Sequence, residues 1–451
     1  MYFDPDDLEL LEAALARLAE GFRSLPDCSP DDRERDRLSA VLTDVADRMR
    51  DNYPYHHPLY AGQMLKPPAA IARLSYALAQ WINPNNHALD GGRASSAMEK
   101  EAVAELAAMF GWHEHLGHLT GGGTTANLEA LWIAGELSPG NSILASDQAH
   151  YTHERISRAL KLPFETVPSA NGRIDIDALA ARLEHGGVAC VVATIGTTGL
   201  GAVDPLAEII DLAAKHGVRV HADAAYGGYF SLAAGLSAHT RRAFEALERV
   251  DSIVLDPHKH GLQPYGCGCV LFREPAVGRF YQHESPYTYF SSDDLHLGEI
   301  SLECSRAGAS AVALWATLRY YPLEPGGELA HGLSGCHAAA VDLHARLAAS
   351  PRWLVCVPPE LDIVVWAPNA ATSTELSALS SEVFERAATE NLHLAKIELP
   401  RVLVEPTFPG LRFDSNSVTC LRSVLMKWIH RDWVDQIWQR LERARDATSS
   451  P

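Results

Sequence analysis

Several features are missing from this sequence of 451 residues, and each absence excludes a class of protein. No apolar run approaches the roughly 18 residues that cross a membrane. No block of lysine and arginine marks a surface for nucleic acid or anionic membrane, since the net charge of −19 is spread along the chain. Repeats and low-complexity tracts are also absent. With 47% hydrophobic and 21% charged residues, the composition is typical of a globular protein with a large core.

Cysteine is scarce, with eight residues scattered along the chain. The only close pair, Cys267 and Cys269, is spaced CxC and is not the CxxC of redox pairs and zinc sites. We therefore expect reduced thiols. The first residues, MYFDPDDLELLEAALARL, carry acidic side chains where a secretory signal has a basic region. We expect a cytoplasmic protein.

Three histidines form an HxHxxH pattern at His113, His115 and His118. The pattern lacks both a helical i, i+4 pair and a supporting carboxylate, which are usual in metal sites. We therefore expect no metal.

The periodicity of apolar residues divides the chain into three parts. Residues 1–85 are predicted to form an N-terminal helical arm and a loop that borders a pocket. Residues 86–325 are predicted to form the large domain, and residues 326–451 a smaller C-terminal α+β domain with strands near 361–366, 403 and 418.

Between residues 120 and 272 helical and strand patterns alternate. Repeated units of this kind, with near-continuous apolar strands, predict a mainly parallel sheet covered on both faces. Ligands of such sheets bind beyond the carboxyl ends of the strands. Thr197, Asp223 and Lys259 each follow a predicted strand, so we expect them at the same edge.

Three segments in this region suggest one cofactor. Lys259 lies in SIVLDPHKHG, Asp223 lies in VRVHADAAYGG, and HLTGGGTTANLEAL places three glycines and two threonines where a helix begins. A lysine that forms a Schiff base, an aspartate for a pyridinium nitrogen and a helix N-terminus for a phosphate are what pyridoxal 5'-phosphate (PLP) requires. The sequence therefore predicts a PLP enzyme.

Taken together and in this order, DPHK, HADAAYGG and TGGGTTANLEAL resemble the group II PLP-dependent decarboxylases, which include glutamate, aromatic amino acid and tyrosine decarboxylases. The resemblance covers residues 55–320 well and the rest weakly. It implies PLP fold type I, as in aspartate aminotransferase, and a homodimer with active sites at the interface. It also implies decarboxylation of an L-amino acid to the amine and CO2 through an internal aldimine on Lys259.

The resemblance assigns catalytic roles to three residues. Lys259 is expected to form the Schiff base, Asp223 to contact the pyridine nitrogen, and His150 to stack on the ring. Ala225 is expected to pack under the ring, and His258 to lie next to the phosphate.

The resemblance also assigns residues to the phosphate of the cofactor and to the substrate. Gly123 and Thr124 are expected to bind the phosphate, and Thr197 to lie beside the cofactor. Arg422 corresponds to an arginine that lies near the substrate in many relatives, so it does not distinguish aromatic from acidic substrates.

The sequence departs from the family pattern in three places. His260 follows the lysine where relatives more often carry an aromatic or other apolar residue. The segment LECSRAG stands where relatives commonly have a GSR or GTR motif. The catalytic loop after residue 280 does not align, so the tyrosine that protonates the product in relatives corresponds to Tyr287, to Tyr289 or to neither.

Other reactions remain open on the same fold, because the fold does not fix which bond breaks. The alternatives are another PLP carbon–carbon lyase, an aminotransferase, a decarboxylation-coupled oxidative deaminase and a protein without catalysis. A dehydrogenase is excluded, because GGGTT is not the GxGxxG of dinucleotide sites.

Overall fold

The computed structural model describes residues 4–26, 34–87, 91–282 and 301–448. Two N-terminal helices, α1 (Asp6–Glu20) and α2 (Arg35–Met49), bury no side chain. Helices α3 (Ala70–Gln80) and α4 (Arg93–Ala108) lead into the large domain. Within the described ranges, no helix combines the length and apolar character needed to cross a bilayer.

A seven-stranded sheet forms the centre of the large domain. Its strands are β1 (Leu116–Thr120), β2 (Ser142–Ser146), β3 (Phe164–Val167), β6 (Val188–Thr194), β7 (Arg219–Asp223), β8 (Ser252–Leu255) and β9 (Gly268–Phe272), with the hairpin β4 (Ser169–Ala170) and β5 (Arg173–Ile174) outside it. The spatial order is β1, β9, β8, β7, β6, β2, β3. Strand β9 pairs antiparallel with both neighbours, and the other pairings are parallel. The predicted, mainly parallel sheet is therefore present. It differs from the prediction in that β9 runs in the opposite direction and β1 is an additional strand.

Helices cover the sheet because its strands are apolar on both faces. Every residue of β6 is buried, as the sequence VACVVAT requires of a strand between two helical layers. The covering helices of this part are α5 (Gly123–Leu137), α6 (Thr152–Leu160), α7 (Ile176–Leu183), α8 (Leu206–Lys215) and α9 (Ala238–Glu245).

The C-terminal region contains a separate four-stranded antiparallel sheet of order β10, β11, β13, β12. Its elements, and the two helices that precede it, are α10 (Gly308–Tyr320), α11 (Glu328–Ala349), β10 (Trp353–Val355), β11 (Ile363–Pro368), α12 (Ser373–Thr389), β12 (Ala395–Pro400), α13 (Arg401–Val404), β13 (Ser417–Val424) and α14 (His430–Ala447). The boundary at 325/326 falls between α10 and α11 and stays a prediction.

The strand predicted near Leu403 is wrong, because Leu403 lies in the short helix α13. The strand ends at Pro400, which is also the N-cap of this helix, although the N–H of Arg401 still donates to the carbonyl oxygen of Asn416 at 2.8 Å. The apolar residues after it, Val402 and Leu403, follow helical geometry instead.

Candidate active site

A cavity of about 330 Å³ opens at the carboxyl ends of the central parallel strands. Thr194 ends β6, Asp223 ends β7 and Lys259 follows β8, so the sheet brings the three together as parallel strands do. The cavity is lined by Gly121, Gly122, Gly123, Thr124, Thr125, Asn127, His150, Thr152, Thr194, Gly196, Thr198, Asp223, Ala225, Tyr226, Asp256, His258 and Lys259.

Lys259 is placed by a tight turn directly after β8. Its backbone N–H donates to the carbonyl oxygen of Asp256 at 2.8 Å, which turns the chain back towards the cavity. The Nζ of Lys259 lies 2.9 Å from Oδ2 of Asp256, and the carboxylate is buried. An amine is thus held at the cavity wall by an aspartate that sequence reasoning did not single out.

Asp223 is the second charged group of the cavity, and its carboxylate is held at both oxygens. Oδ2 lies 2.8 Å from Nε2 of His153, and Oδ1 accepts from the N–H of Ala225 at 3.2 Å. Burial alone raises the pKa of Asp223, but the hydrogen bond from His153 and the charge of Lys259 outweigh it and hold the pKa well below its usual range. Asp223 is therefore an anion at neutral pH.

His150 lies half-buried on the loop before α6, and its Nδ1 is 2.8 Å from the hydroxyl of Thr152. Burial lowers the pKa of His150, and the nearby Asp223 opposes this shift only in part. The imidazole is therefore neutral at pH 7, which suits a flat ring packed against a ligand.

The glycine-rich turn between β1 and α5 forms one end of the cavity. Gly122 has a φ of 152°, which favours glycine, and a Cβ on Gly123 would lie 2.8 Å from Oδ2 of Asp256. Helix α5 begins at Gly123, where free backbone N–H groups attract anions. The N–H of Gly121 already donates to the carboxylate of Glu303 at 2.9 Å.

Not every residue expected at the cofactor borders the cavity. Gly123, Thr124, Ala225 and His258 do, but the Thr197 hydroxyl is turned away and accepts from the N–H of Ala202 at 3.1 Å. Its neighbour Thr198 lines the cavity instead. Successive side chains at the end of a strand point to opposite sides. An error of one residue in the sequence prediction therefore names Thr197 where Thr198 borders the cavity.

Arg422 lies behind the cavity. It is buried, and its guanidinium donates to the carbonyl oxygen of Thr198 at 2.9 Å and to the side-chain oxygen of Gln63. Through Thr198 it therefore contacts the wall of the cavity from the C-terminal sheet.

His260 points away from the cavity. Its Nε2 lies 3.3 Å from Oδ2 of Asp362, and its ring packs edge-on against Tyr226 and Phe230. The Tyr226 hydroxyl donates to Oδ1 of the same Asp362 at 2.5 Å. The unusual residue after the lysine thus anchors the lysine turn to the start of β11.

Two further expectations concern the HxHxxH histidines and the tyrosines of the catalytic loop. His118 is buried in β1 with Nε2 2.7 Å from Oε2 of Glu129, which also accepts from the hydroxyl of Tyr281 at 2.8 Å. In the part of the chain that the structure describes, no group of three metal-binding side chains occurs. Tyr287 and Tyr289 lie outside the described residues.

Comparison with known proteins gives consistent matches. The family model described as the pyridoxal-dependent decarboxylase conserved domain matches residues 132–367, which is more than half of the chain. An L-tyrosine decarboxylase of Enterococcus faecium is 28% identical, with 82% of this chain and 79% of that protein aligned. An L-2,4-diaminobutyrate decarboxylase of Acinetobacter baumannii is 30% identical, and the alignment spans 58% of each chain.

Among solved structures, that of Oryza sativa TDC with PLP and tryptamine matches with a TM-score of 0.79 at 19% identity, covering 99% of both chains. At this identity the likeness shows the fold. It confirms the expected α/β class with a mainly parallel central sheet.

Proposed function

This chain belongs to the pyridoxal-dependent decarboxylase family, and on that premise we propose that Lys259 holds the cofactor while the α-carboxylate of an L-amino acid leaves as CO2. The protein is an amino-acid decarboxylase, a carbon–carbon lyase of PLP fold type I, and pyridoxal phosphate is its cofactor. One observation supports the residue assignment above all others: Lys259, Asp223 and the start of α5 border a single cavity.

The residues present fit this cofactor. PLP needs an amine, an anion for its ring nitrogen and a cradle for its phosphate. Lys259, the ionised Asp223 and the turn at Gly121–Gly123 offer these three groups, and a cavity of about 330 Å³ suits a small cofactor. The buried Oδ1 of Asp256 also has no hydrogen-bond partner among the described residues, so this oxygen can still accept a hydrogen bond from a ligand in the cavity.

When bound, PLP supplies a ring that takes up the electron pair left on Cα as CO2 departs. The protein has to keep the ring nitrogen protonated, which is the role that we assign to the anionic Asp223. Lys259 provides the amine that links to the cofactor and that displaces the product at the end of the cycle.

Orientation selects the bond that breaks. We assign His150 to one face of the ring and Ala225 to the other, where they would hold the cofactor in a fixed direction and so limit the orientations open to a substrate joined to it. Gly123 and Thr124 at the start of α5, with His258, are assigned to the phosphate, where backbone N–H groups hold an anion without a counter-charge.

A panel of L-amino acids incubated with the PLP-loaded protein tests the reaction. Aromatic, acidic and diamino substrates are included, because relatives are named for tyrosine and for diaminobutyrate. CO2 and amine in equal amounts from at least one substrate support the proposal. Keto acid without CO2, or aldehyde in place of amine, would assign the chain to one of the alternative PLP reactions.

We also propose that the protein is a homodimer whose active sites lie at the interface, with residues 1–85 as an arm. Helix α2 supports this proposal, because it exposes an apolar face of Leu38, Val41, Leu42 and Val45, each at least 50% exposed. Light scattering after gel filtration measures the mass, and a monomer at micromolar concentration contradicts the proposal.

A cytoplasmic location is a further proposal. It is supported by the cysteines of the described residues, all of which are free thiols and six of which are buried. Fractionation of cells that make the protein tests it, and recovery outside the cytoplasm contradicts it.

A further inference from the structure

His153 lies in the first turn of α6, three residues after His150, and its side chain is fully buried. It does not border the cavity, but it contacts Asp223, which does. The N–H of His153 donates to the carbonyl oxygen of His150 at 3.1 Å, so one turn of chain joins the two residues at the start of the helix. His150 thus reaches the cavity directly, and His153 reaches it through Asp223.

The position of the proton follows from the contacts of the two ring nitrogens of His153. Nε2 lies 2.8 Å from Oδ2 of Asp223, whereas Nδ1 is buried without a hydrogen-bond partner among the described residues. An ionised carboxylate only accepts, so Nε2 carries the hydrogen. A second N–H on Nδ1 would be buried and unsatisfied, which is costly. The geometry therefore favours a neutral ring that donates to Asp223.

Other titratable groups surround this pair from three sides. His221 lies two residues before Asp223 in β7 and is bonded to Asn127 and Ser252 at 2.8 and 2.9 Å. Burial lowers the pKa of His221 to about 3, so it is neutral. His150 and Lys259 face Asp223 from the cavity, and Asp256 lies beside Lys259. Of these groups, only His153 donates to the Asp223 carboxylate.

A purely structural role accounts poorly for His153. A buried side chain that serves packing alone is better apolar, since an imidazole nitrogen without a partner loses its hydration. The hydrogen bond that His153 donates compensates for the lost hydration of Nε2 but not of Nδ1. The carboxylate that accepts it, Asp223, lies at the carboxyl end of β7 and borders the cavity.

We propose that His153 is a positioning residue for the reaction: its Nε2–H holds one oxygen of Asp223, so that the carboxylate stays ionised and fixed in direction towards the cofactor's ring nitrogen. This inference rests on the proposed function, in which Asp223 keeps that nitrogen protonated. Each carboxylate oxygen accepts more than one hydrogen bond, so the bonds from His153 and Ala225 leave acceptor capacity for the ring.

Two substitutions separate the hydrogen bond from the packing. His153→Leu keeps an apolar side chain of similar size but removes the donor, whereas His153→Gln keeps an N–H near the position of Nε2. We expect His153→Leu to lower kcat about 10- to 100-fold, the range for a lost hydrogen bond to a charged group, with KM changed less than about threefold. We expect His153→Gln to recover most of the lost kcat. His185→Leu, at an exposed histidine after α7, is the matched control and leaves kcat unchanged.

A second readout does not depend on turnover. The absorbance of the bound cofactor is titrated with pH, and the dissociation constant of PLP is measured for each variant. With Asp223 less able to keep the ring nitrogen protonated, the ring withdraws less charge from the linked lysine nitrogen. The midpoint of the titration therefore moves to higher pH in His153→Leu and returns in His153→Gln.

The outcomes distinguish this inference from the proposed function. If the unmodified protein releases no CO2 from any amino acid, the proposed function fails, while the absorbance titrations still test His153. If His153→Leu titrates and turns over like the unmodified protein, the inference is wrong although the enzyme is a decarboxylase. Equal damage in the Leu and Gln variants, with equal loss of thermal stability, would show that His153 serves packing alone.

Discussion

Lys259 and Asp256 form an ion pair at the wall of the cavity, with Nζ 2.9 Å from a buried carboxylate oxygen three residues earlier in the chain. The pair holds the amine at the carboxyl end of β8 and orients it before any ligand arrives. It also means that removal of the lysine is expected to have two separate effects, because the proposed covalent partner of the cofactor is lost and a buried carboxylate loses its counter-ion.

The first prediction concerns Lys259. Lys259→Ala is expected to lose the visible absorbance of the lysine-linked cofactor and all measurable turnover, because no other amine borders the described cavity. Lys259→Arg keeps a positive charge near Asp256 but cannot form the link, so we expect it to be equally inactive and more stable to heat than the Ala variant.

Absorbance spectra, borohydride trapping followed by mass spectrometry, and thermal melts measure these effects. Lys215→Ala, at the exposed end of α8, is the control and retains both properties. Retention of the cofactor link and activity by Lys259→Ala would exclude Lys259 as the cofactor-holding residue.

The second prediction concerns the anion at the end of β7. Asp223→Ala is expected to bind PLP weakly and to lose turnover by about 100-fold or more, the range found when a preorganised charge partner is removed. Steady-state kinetics and a PLP titration measure the two effects. Asp177→Ala, on the exposed first turn of α7, is the control. Near-normal kcat in the Asp223 variant would remove this residue from its assigned role.

The sequence alone predicted the main residues of the cavity because of a general property of parallel sheets. Strands with near-continuous apolar character were recognisable, and their carboxyl ends must lie at one edge. Lys259 and Asp223 therefore converge in the structure as expected. The reversed strand β9 was not predictable in this way, since an apolar run carries no information on its direction.

The partners of these residues were missed, because they depend on which elements face each other. The HYTHE segment puts His150 and His153 within three residues of each other, but it does not indicate that Asp223 lies next to His153. Likewise His260 meets Asp362 about a hundred residues later, across the two sheets. Asp256 was missed as well, although its i, i+3 contact with Lys259 is local in the chain and a turn in DPHK could have indicated it.

The third prediction concerns the glycine at the start of α5. A Cβ on Gly123 would lie 2.8 and 3.0 Å from the two carboxylate oxygens of Asp256, so Gly123→Ala forces a shift in the contact between the glycine turn and the carboxylate that pairs with Lys259. We expect PLP affinity to fall at least about tenfold, the effect of roughly 1.4 kcal/mol.

Gly335→Ala is a matched control in the interior of α11. Its new methyl group would meet only the carbonyl oxygen of Trp428, at 3.7 Å, and its backbone is helical. Since alanine is favoured over glycine inside helices by about 0.5 to 1 kcal/mol, this variant is expected to be as stable or more stable and to bind PLP normally. Equal PLP affinity in both variants would contradict the proposed cradle at Gly123.

The last prediction is a pH dependence of stability that originates at Lys427. This side chain is only 7% exposed, and its Nζ donates to the carbonyl oxygen of Tyr60 at 2.6 Å. Burial, and then the charge of Lys66, lower the pKa of Lys427 to about 7. Since the ordinary value is 10.5, the unfolded chain binds a proton between these pH values that the folded chain does not.

Below pH 7 the folded and the unfolded chain both carry the proton on Lys427, so the cost of burying the charge is fully present. Above pH 7 the folded chain loses this proton while the unfolded chain keeps it. The free energy of unfolding therefore rises with pH, by up to about 1.4 kcal/mol per pH unit. Lys427→Met removes this contribution, and its unfolding free energy is expected to rise less steeply between pH 7 and 9. Urea denaturation at several pH values measures the slopes, with Lys396→Met, an exposed lysine of β12, as the control. Equal slopes for the unmodified protein and Lys427→Met would show that the buried amine keeps its proton, so that the Tyr60 carbonyl suffices to stabilise the charge.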